Sequence, residues 1–370
     1  MQRGTIVKEH GSWCLMYYDW RLVKGKRVRK RVKVKLARVS PEYKTAASMQ
    51  LLADRILAPI NEKRVQPESA QTVKEFIEER YFPMVERELR PSTQKSYRDV
   101  FEHHVRDRLD GLTLRQFQTK HGQKIVASVP NVGHRSLLYV KSFLSGVFKF
   151  AIQEGILDEK NPMREVSLPR HVRPNKKKGE AYTLGEIDTM LYVLPEPART
   201  VIATAALTGL RLSELRGLRW GDFDGETLRV QRGVWRTHVG PTKSLESEAA
   251  VPVLAPLRSA LERHRSGALD TAYIFAGEKR GTPLNLANLA NRVVKPALKT
   301  RGVLWKGWHA FRRGLGSNLY ELGVPPMIIQ SILRHSDVKT TLAYYVRTRE
   351  EEAREAMRRL DDALGTDLSL

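Results

Sequence analysis

From Arg21 to Val39 the chain carries no acidic residue, and its cations alternate with aliphatic side chains. With the two-residue period of a strand, Val28, Val32, Val34 and Leu36 share one face while Arg27, Arg29, Arg31, Lys33 and Lys35 share the other. Such a strand can pack its aliphatic face on its own module and lay its charge on phosphates. Charged faces are commonly just solvated, but a run of cations without a single acid favours a polyanion. Upstream, Trp13, Leu15 and Tyr17 alternate in the same way, ahead of a turn at Lys24, Gly25 and Lys26. Residues 1–65 therefore read as a small β-rich module, closed by a helix through Ala46, Ala47, Leu51, Leu52 and Ile56, with a linker over residues 61–67.

The bias extends to the whole chain, whose 64 Lys and Arg against 41 Asp and Glu give a net charge of +23. Nucleic acid is the commonest partner of a chain of that sign, and an anionic membrane surface is the alternative. Apolar stretches such as Val201 to Leu207 fall far short of the roughly 20 residues that span a bilayer. With no signal-like start either, the expected location is the cytoplasm and no membrane partner is expected. Cys14 is the one cysteine, so neither an internal disulfide nor a thiolate zinc cluster is available, and whatever chemistry happens here uses other side chains.

At 370 residues the chain suits two or three domains. A helical domain is expected over residues 70–166. Thr72 with Glu75 has the capping-box spacing, and Phe76 and Ile77 begin an apolar face. A second helix after Pro91 carries Tyr97, Phe101 and Val105, and a third runs from Leu137 to Ile152, stopped by Gly155 and by Asn161 with Pro162. Residues 167–180, with Arg173, Lys176, Lys177 and Lys178, form a basic linker that serves as a tether or as a strap across DNA. From Thr183, capped by Glu186, residues 181–370 read as a last domain. It is helical except for strands expected at Leu228 to Trp235, around Thr242 to Ser244, and at Ala250 to Val253. The expected fold class is mainly α with small β elements: a β-rich module, an all-helical domain and a mixed, mostly helical α+β domain.

Four segments of this last domain hold polar groups that can carry chemistry, and each is weak alone. Gly209 stops an apolar helix, after which Arg211 starts another with Glu214 one turn on; this is a surface ion pair or a bidentate phosphate site. Lys243 lies in a turn-like stretch, where it is an ornament or a proton donor to a leaving oxygen. His309 and Arg312 are three apart on one helix face, with Phe311 and Leu315 on the buried side, so a core histidine competes with a functional one. The fourth segment holds Arg334, His335 and the adjacent phenols Tyr344 and Tyr345.

Taken in order, Arg211, Lys243, His309, Arg312, His335 and Tyr344 resemble the tyrosine recombinases, or phage integrase family, over a span that begins near Thr72. The resemblance implies a site-specific DNA recombinase that cuts and rejoins DNA without a cofactor. It implies that Arg211 and Arg312 bind the phosphate, Tyr344 attacks it, His309 is base or hydrogen-bond partner, Lys243 protonates the leaving 5′-oxygen and His335 donates to the phosphate. Glu214 then holds Arg211 or a histidine in place. It also makes residues 1–65 an arm-type DNA-binding module, 70–166 a core-binding SAM-like domain and 181–370 a catalytic domain with a C-terminal tail. A homotetramer on two duplexes, with DNA-bending accessory proteins, is implied as well.

Departures from the family pattern are Arg334, where a glycine often precedes the second histidine, Arg313 in place of a frequent histidine, and Ala249 in place of a frequent arginine. Tyr345 competes with Tyr344, and the spacing of nine from His335 selects Tyr344. The added N-terminal module favours an integrase of a phage or other mobile element. A relaxing topoisomerase of the IB type shares the chemistry, and a catalytically idle DNA-binding protein would keep only the clamp.

Overall fold

The cationic run is a strand of a three-stranded antiparallel sheet, ordered β1 (Thr5–Glu9), β2 (Ser12–Val23), β3 (Lys26–Arg38). The structure is a computed structural model, and it describes residues 2–23, 26–61, 66–157, 160–173, 179–242, 250–334 and 358. The chain divides into two compact units, Met1–Lys176 and Lys177–Leu370.

In the first unit, β2 pairs with β3 so that Leu15 faces Val34 and Tyr17 faces Val32. These four form one sheet face, packed against helix α1 (Gln50–Asn61) through Ala53 and Leu57. The closing helix starts later than its sequence suggests, because Ala47–Met49 forms a 3-10 turn ahead of it. The pleat turns Arg29, Arg31, Lys33 and Lys35 to the other, exposed face, as the alternation requires. Val28 is an exception to the expected aliphatic face, being 38% exposed near the free end of the ribbon.

A second core in this unit is helical. Helix α2 (Val73–Phe76) begins at the expected capping box, with Glu75 N–H donating to Thr72 Oγ1 at 3.2 Å. It continues through a π-helical turn, Ile77–Tyr81, into α3 (Phe82–Glu88). Helix α4 (Pro91–Val100) passes into a second π turn, Phe101–Val105, and is followed by α5 (Thr119–Ser128) and α6 (His134–Gln153). Phe76, Phe82, Phe101, Phe143 and Phe148 fill the interior, and none exceeds 4% exposure. Gly155 follows α6 with φ +67°, and Asn161 ties the chain back by donating Nδ2–H to the Ser145 carbonyl at 2.8 Å.

Sheet and helices of this unit meet at an ion pair between Asp19 of β2 and Arg115, which lies in the 3-10 turn Leu114–Gln116. Asp19 is on the packed face, and both side chains are largely buried, 6% and 17% exposed.

The second unit starts with α7 (Leu184–Val193), whose Thr183 cap accepts from Glu186 N–H at 3.2 Å. There follow α8 (Ala198–Thr208), α9 (Leu212–Gly217), the short strands β4 (Thr227–Arg229), β5 (Arg232–Trp235), β6 (His238–Pro241) and β7 (Ala250–Pro252), and α10 (Ala255–Arg265). Helices α11 (Leu286–Leu289), α12 (Lys295–Lys299), α13 (His309–Glu321) and α14 (Pro326–Leu333) complete it. The expected strand over residues 228–235 is two strands in different sheets, since β4 pairs with β7 and β5 with β6. Strand β6 ends at Pro241, directly before Thr242, and Lys243 and Ser244 of the strand expected there lie outside the described residues. Helix α8 is buried on nearly every side and holds the centre of this core. Among the described residues no helix is long and apolar enough to cross a membrane.

Candidate active site

Three separated segments of the second unit converge where α14 ends. Helix α8 stops because Gly209 takes φ +60°. A Cβ there would stand 3.0 Å from Leu315 Cδ2 and 3.1 Å from Leu333 Cδ2, so glycine lets α13 and α14 close over the helix end. Two residues on, Arg211 caps α9 in extended backbone, and its N–H donates to Glu214 Oε2 at 3.0 Å while its Nη1 donates to Oε1 at 2.7 Å. The carboxylate is buried and takes a third donor, Arg334 Nη2, at 3.2 Å. Burial works to raise the Glu214 pKa; Arg334, then the Arg211 N–H and guanidinium, outweigh it and hold the group below the usual carboxylate range.

Arg312, one turn into α13, is 6% exposed. It donates Nη1–H to the Gly209 carbonyl at 2.8 Å and Nη2–H to the Leu333 carbonyl. Arg211 Nη2 approaches the next carbonyl, that of Arg334, at 3.5 Å. Both arginines thus grip the last turn of α14. His309 opens α13 and is exposed, which sets aside the core-histidine reading. Around the start of α13, Trp305, Trp308, Tyr182 and Phe311 pack as a cluster, with 4.4 Å between the Tyr182 and Phe311 centroids. Partial burial, and then Arg313, Arg312 and Arg211, lower the His309 pKa from its ordinary value and favour the neutral imidazole.

Arg334 is the C-cap of α14, at φ 54° and ψ 51°. A residue with a Cβ pays about 1 kcal/mol or more in that left-handed region, which explains the frequent glycine there. Lys306 is a support that the sequence did not disclose: its Nζ meets Glu186 Oε1 at 2.6 Å and the Ala181 carbonyl at 3.0 Å, fixing the approach to α13. Lys243, His335, Tyr344, the competing Tyr345, and Lys176, Lys177 and Lys178 lie outside the described residues, as does Ala249. The β5–β6 hairpin turns at Arg236, and Lys243 follows two residues after β6.

In the first unit, the register pairs Tyr18 with Arg31 and Trp20 with Arg29, so the basic face is also aromatic. Tyr18 and Trp20 are 48% and 51% exposed, and the Arg29 guanidinium lies 4.8 Å from the Tyr18 centroid. These two rings were missed because attention to Trp13, Leu15 and Tyr17 selects the odd positions of β2, while the even positions carry the exposed set. Arg27 belongs to β3, but its side chain is not among those described. Lys33 pairs with Glu9 of β1, so the face is not purely cationic.

Residues 184–352 match the phage integrase family, and residues 72–129 match the phage integrase N-terminal SAM-like domain. The chain belongs to the phage integrase family. Among its relatives in this family, a protein named tyrosine recombinase XerC-like from Caldanaerobacter subterraneus subsp. tengcongensis is 25% identical over 317 residues, covering 76% of this chain and 80% of that protein. The ICEBs1 integrase of Bacillus subtilis is 25% identical over 253 residues, covering 63% and 67%. In fold the chain is similar to the Tn1549 transposon integrase in complex with transposon right end DNA, with a TM-score of 0.65, 20% identity and coverage of 79% of this chain and all of the other. It is similar also to a lambda integrase tetramer bound to a Holliday junction, with a TM-score of 0.59, 18% identity and coverage of 93% and 95%. This family member is a tyrosine-type site-specific DNA recombinase.

Proposed function

We propose that this recombinase is the integrase of a phage or another mobile element, and that Arg211, Lys243, His309, Arg312, His335 and Tyr344 form its active site. The convergence of Arg211, Glu214 and Arg312 on the end of α14, directly before His335, with His309 one turn ahead of Arg312 on α13, carries this reading. A phosphodiester under attack gains charge on its two non-bridging oxygens, and Arg211 and Arg312 supply fixed cations for them. The Tyr344 phenol, whose ordinary pKa is about 10, gives its proton to neutral His309 as its oxygen attacks phosphorus. The 5′-oxygen leaves with a proton from Lys243, and His335 donates to the phosphate. The product is a 3′-phosphotyrosine and a free 5′-hydroxyl. A 5′-hydroxyl from the partner strand reverses the step, expelling the tyrosine. Because the ester keeps the bond energy, the cycle calls for neither metal nor nucleotide.

The N-terminal sheet supports the mobile-element reading. Its exposed Arg29, Arg31, Tyr18 and Trp20 suit arm-type DNA beside the crossover, with Arg27, Lys33 and Lys35 along the same strand. In this reading residues 1–65 bind arm sites and residues 70–166 bind core sites. Residues 167–180, with Lys176, Lys177 and Lys178, strap the duplex, and residues 181–370 cut it. The active assembly is a tetramer on two duplexes, acting in the cytoplasm, with DNA-bending proteins as helpers; the likeness in fold to the lambda integrase tetramer supports the first point. Covalent trapping tests the reading. Nicked suicide duplexes with a randomised core are incubated with the chain in EDTA, and adducts are isolated on denaturing gels. Adduct from wild type and none from Tyr344→Phe is expected. Undiminished adduct from Tyr344→Phe would refute the choice of nucleophile.

A further inference from the structure

At the end of α14 the chain places an arginine in a backbone conformation that favours glycine, and it buries the side chain. Arg334 has φ 54° and is 4% exposed, yet its Nη2 reaches Glu214 Oε2 at 3.2 Å. The other oxygen of that carboxylate takes Arg211 Nη1 at 2.7 Å. The backbone of the same residue is engaged as well, since its N–H donates to the Ser331 carbonyl at 3.0 Å and its own carbonyl lies 3.5 Å from Arg211 Nη2. Side chain and carbonyl of one residue therefore contact the two halves of the Arg211–Glu214 pair. A glycine here would settle the turn without strain but would reach nothing.

We propose that Arg334 is a positioning residue of this active site, a third arginine that clamps Glu214 together with Arg211 and so fixes the Arg211 guanidinium and the end of α14, directly before His335. The inference rests on the assignment of this cluster as the site of DNA cleavage. Its physical content is electrostatic. Glu214 is buried, and a buried carboxylate that holds a catalytic guanidinium must stay ionised to do so. Among the described residues the charged and titratable groups around it are Arg211 from the cap of α9, Arg334 from α14, and His309 and Arg312 from α13. Arg334 and Arg211 both act to keep it ionised, against the burial that works to protonate it. The arginine at this position thus replaces a free turn by a turn whose geometry is tied to the charge state of the site.

The test is single-turnover cleavage of suicide duplexes captured by the wild-type chain, followed from about pH 5.5 to 9. Arg334→Gly removes the strain together with the cation, and hydrogen exchange of peptides from α13 and α14 in the same variant separates a loss of activity from a loss of fold. Cleavage by Arg334→Gly is expected to fall about tenfold at neutral pH, the worth of one charge-assisted hydrogen bond, and further towards acid as Glu214 protonates. Arg334→Lys retains a cation at the same place and is expected to recover most of the rate. Three results would each overturn the proposal: Arg334→Gly within twofold of wild type at every pH, a loss that is equal at every pH, or no recovery by lysine. If Arg211→Ala cleaved like wild type, the site assignment itself would fall, and the role of Arg334 with it.

Discussion

Replacing Asp19 by alanine separates the energetics of the N-terminal sheet from those of the rest of the chain. Asp19 is 6% exposed and faces Arg115, which is 17% exposed. Among the described residues Arg115 Nη1 is buried with no hydrogen-bond partner, and burial lowers the pKa of the group. Asp19 is the guanidinium's main compensation. Removing one partner of a buried pair leaves a charge without its counterion and costs about 3–5 kcal/mol. Replacing both, as in Asp19→Ala with Arg115→Met, removes the charge as well as its partner and is expected to recover most of that loss. Hydrogen exchange resolved by peptide is the suitable assay, because a chain of several domains has no single unfolding free energy. At about 1.4 kcal/mol per decade, peptides from β2 in Asp19→Ala should exchange at least a hundredfold faster, while those of α8 stay unchanged. An acceleration below about tenfold, or a double variant as labile as Asp19→Ala alone, would refute the view that this pair docks the sheet.

Cleavage should persist into mild acid and fail as His309 protonates, with a midpoint below its ordinary value of about 6.5. Arg313→Ala takes away a cation that lowers that pKa, so the acid limb should move to higher pH; an unmoved limb would count against His309 as the base. On the basic face of β3, Arg29→Ala with Arg31→Ala should reduce the log–log salt slope of DNA binding by about 1.8, roughly 0.9 per phosphate contact. Adding Lys33→Ala should change it by less than about 0.9, since Lys33 already pairs with Glu9, and an unchanged slope in all variants would make the face merely solvated. Gly314→Ala would place a Cβ 2.5 Å from the Tyr182 carbonyl and 3.1 Å from its nitrogen, both backbone atoms. A loss of about 1–3 kcal/mol in the hydrogen-exchange protection of peptides from α13 is expected, and no loss would show that α13 can shift away.

What the sequence discloses here is local, and what it conceals is long-range. The capping boxes at Thr72 and Thr183, the stop at Gly209 and the faces of β3 from Arg29 to Leu36 follow from spacings of two to four residues, and all are present. His309 and Arg312 share a helix for the same reason. The single strand expected over residues 228–235 fails because β4 and β5 take different partners, which no local pattern reports. Asp19 looks like one more polar residue between Tyr18 and Trp20 until Arg115, 96 residues on, is seen beside it. Arg334 likewise reads as a departure from a glycine pattern, and its meaning lies in Glu214, 120 residues away. Lys306 and Glu186 are separated by the same 120 residues, and nothing in either neighbourhood announces the contact.

Arg312 joins the carbonyls of Gly209 and Leu333, which close α8 and α14. A lysine keeps the charge but lacks the fork that spans two acceptors, so even that exchange removes a strut from the core. A descendant that had lost its tyrosine and bound DNA only for occupancy would still need this arginine to hold two helix ends together. Its presence in such a chain would testify to architecture and not to catalysis.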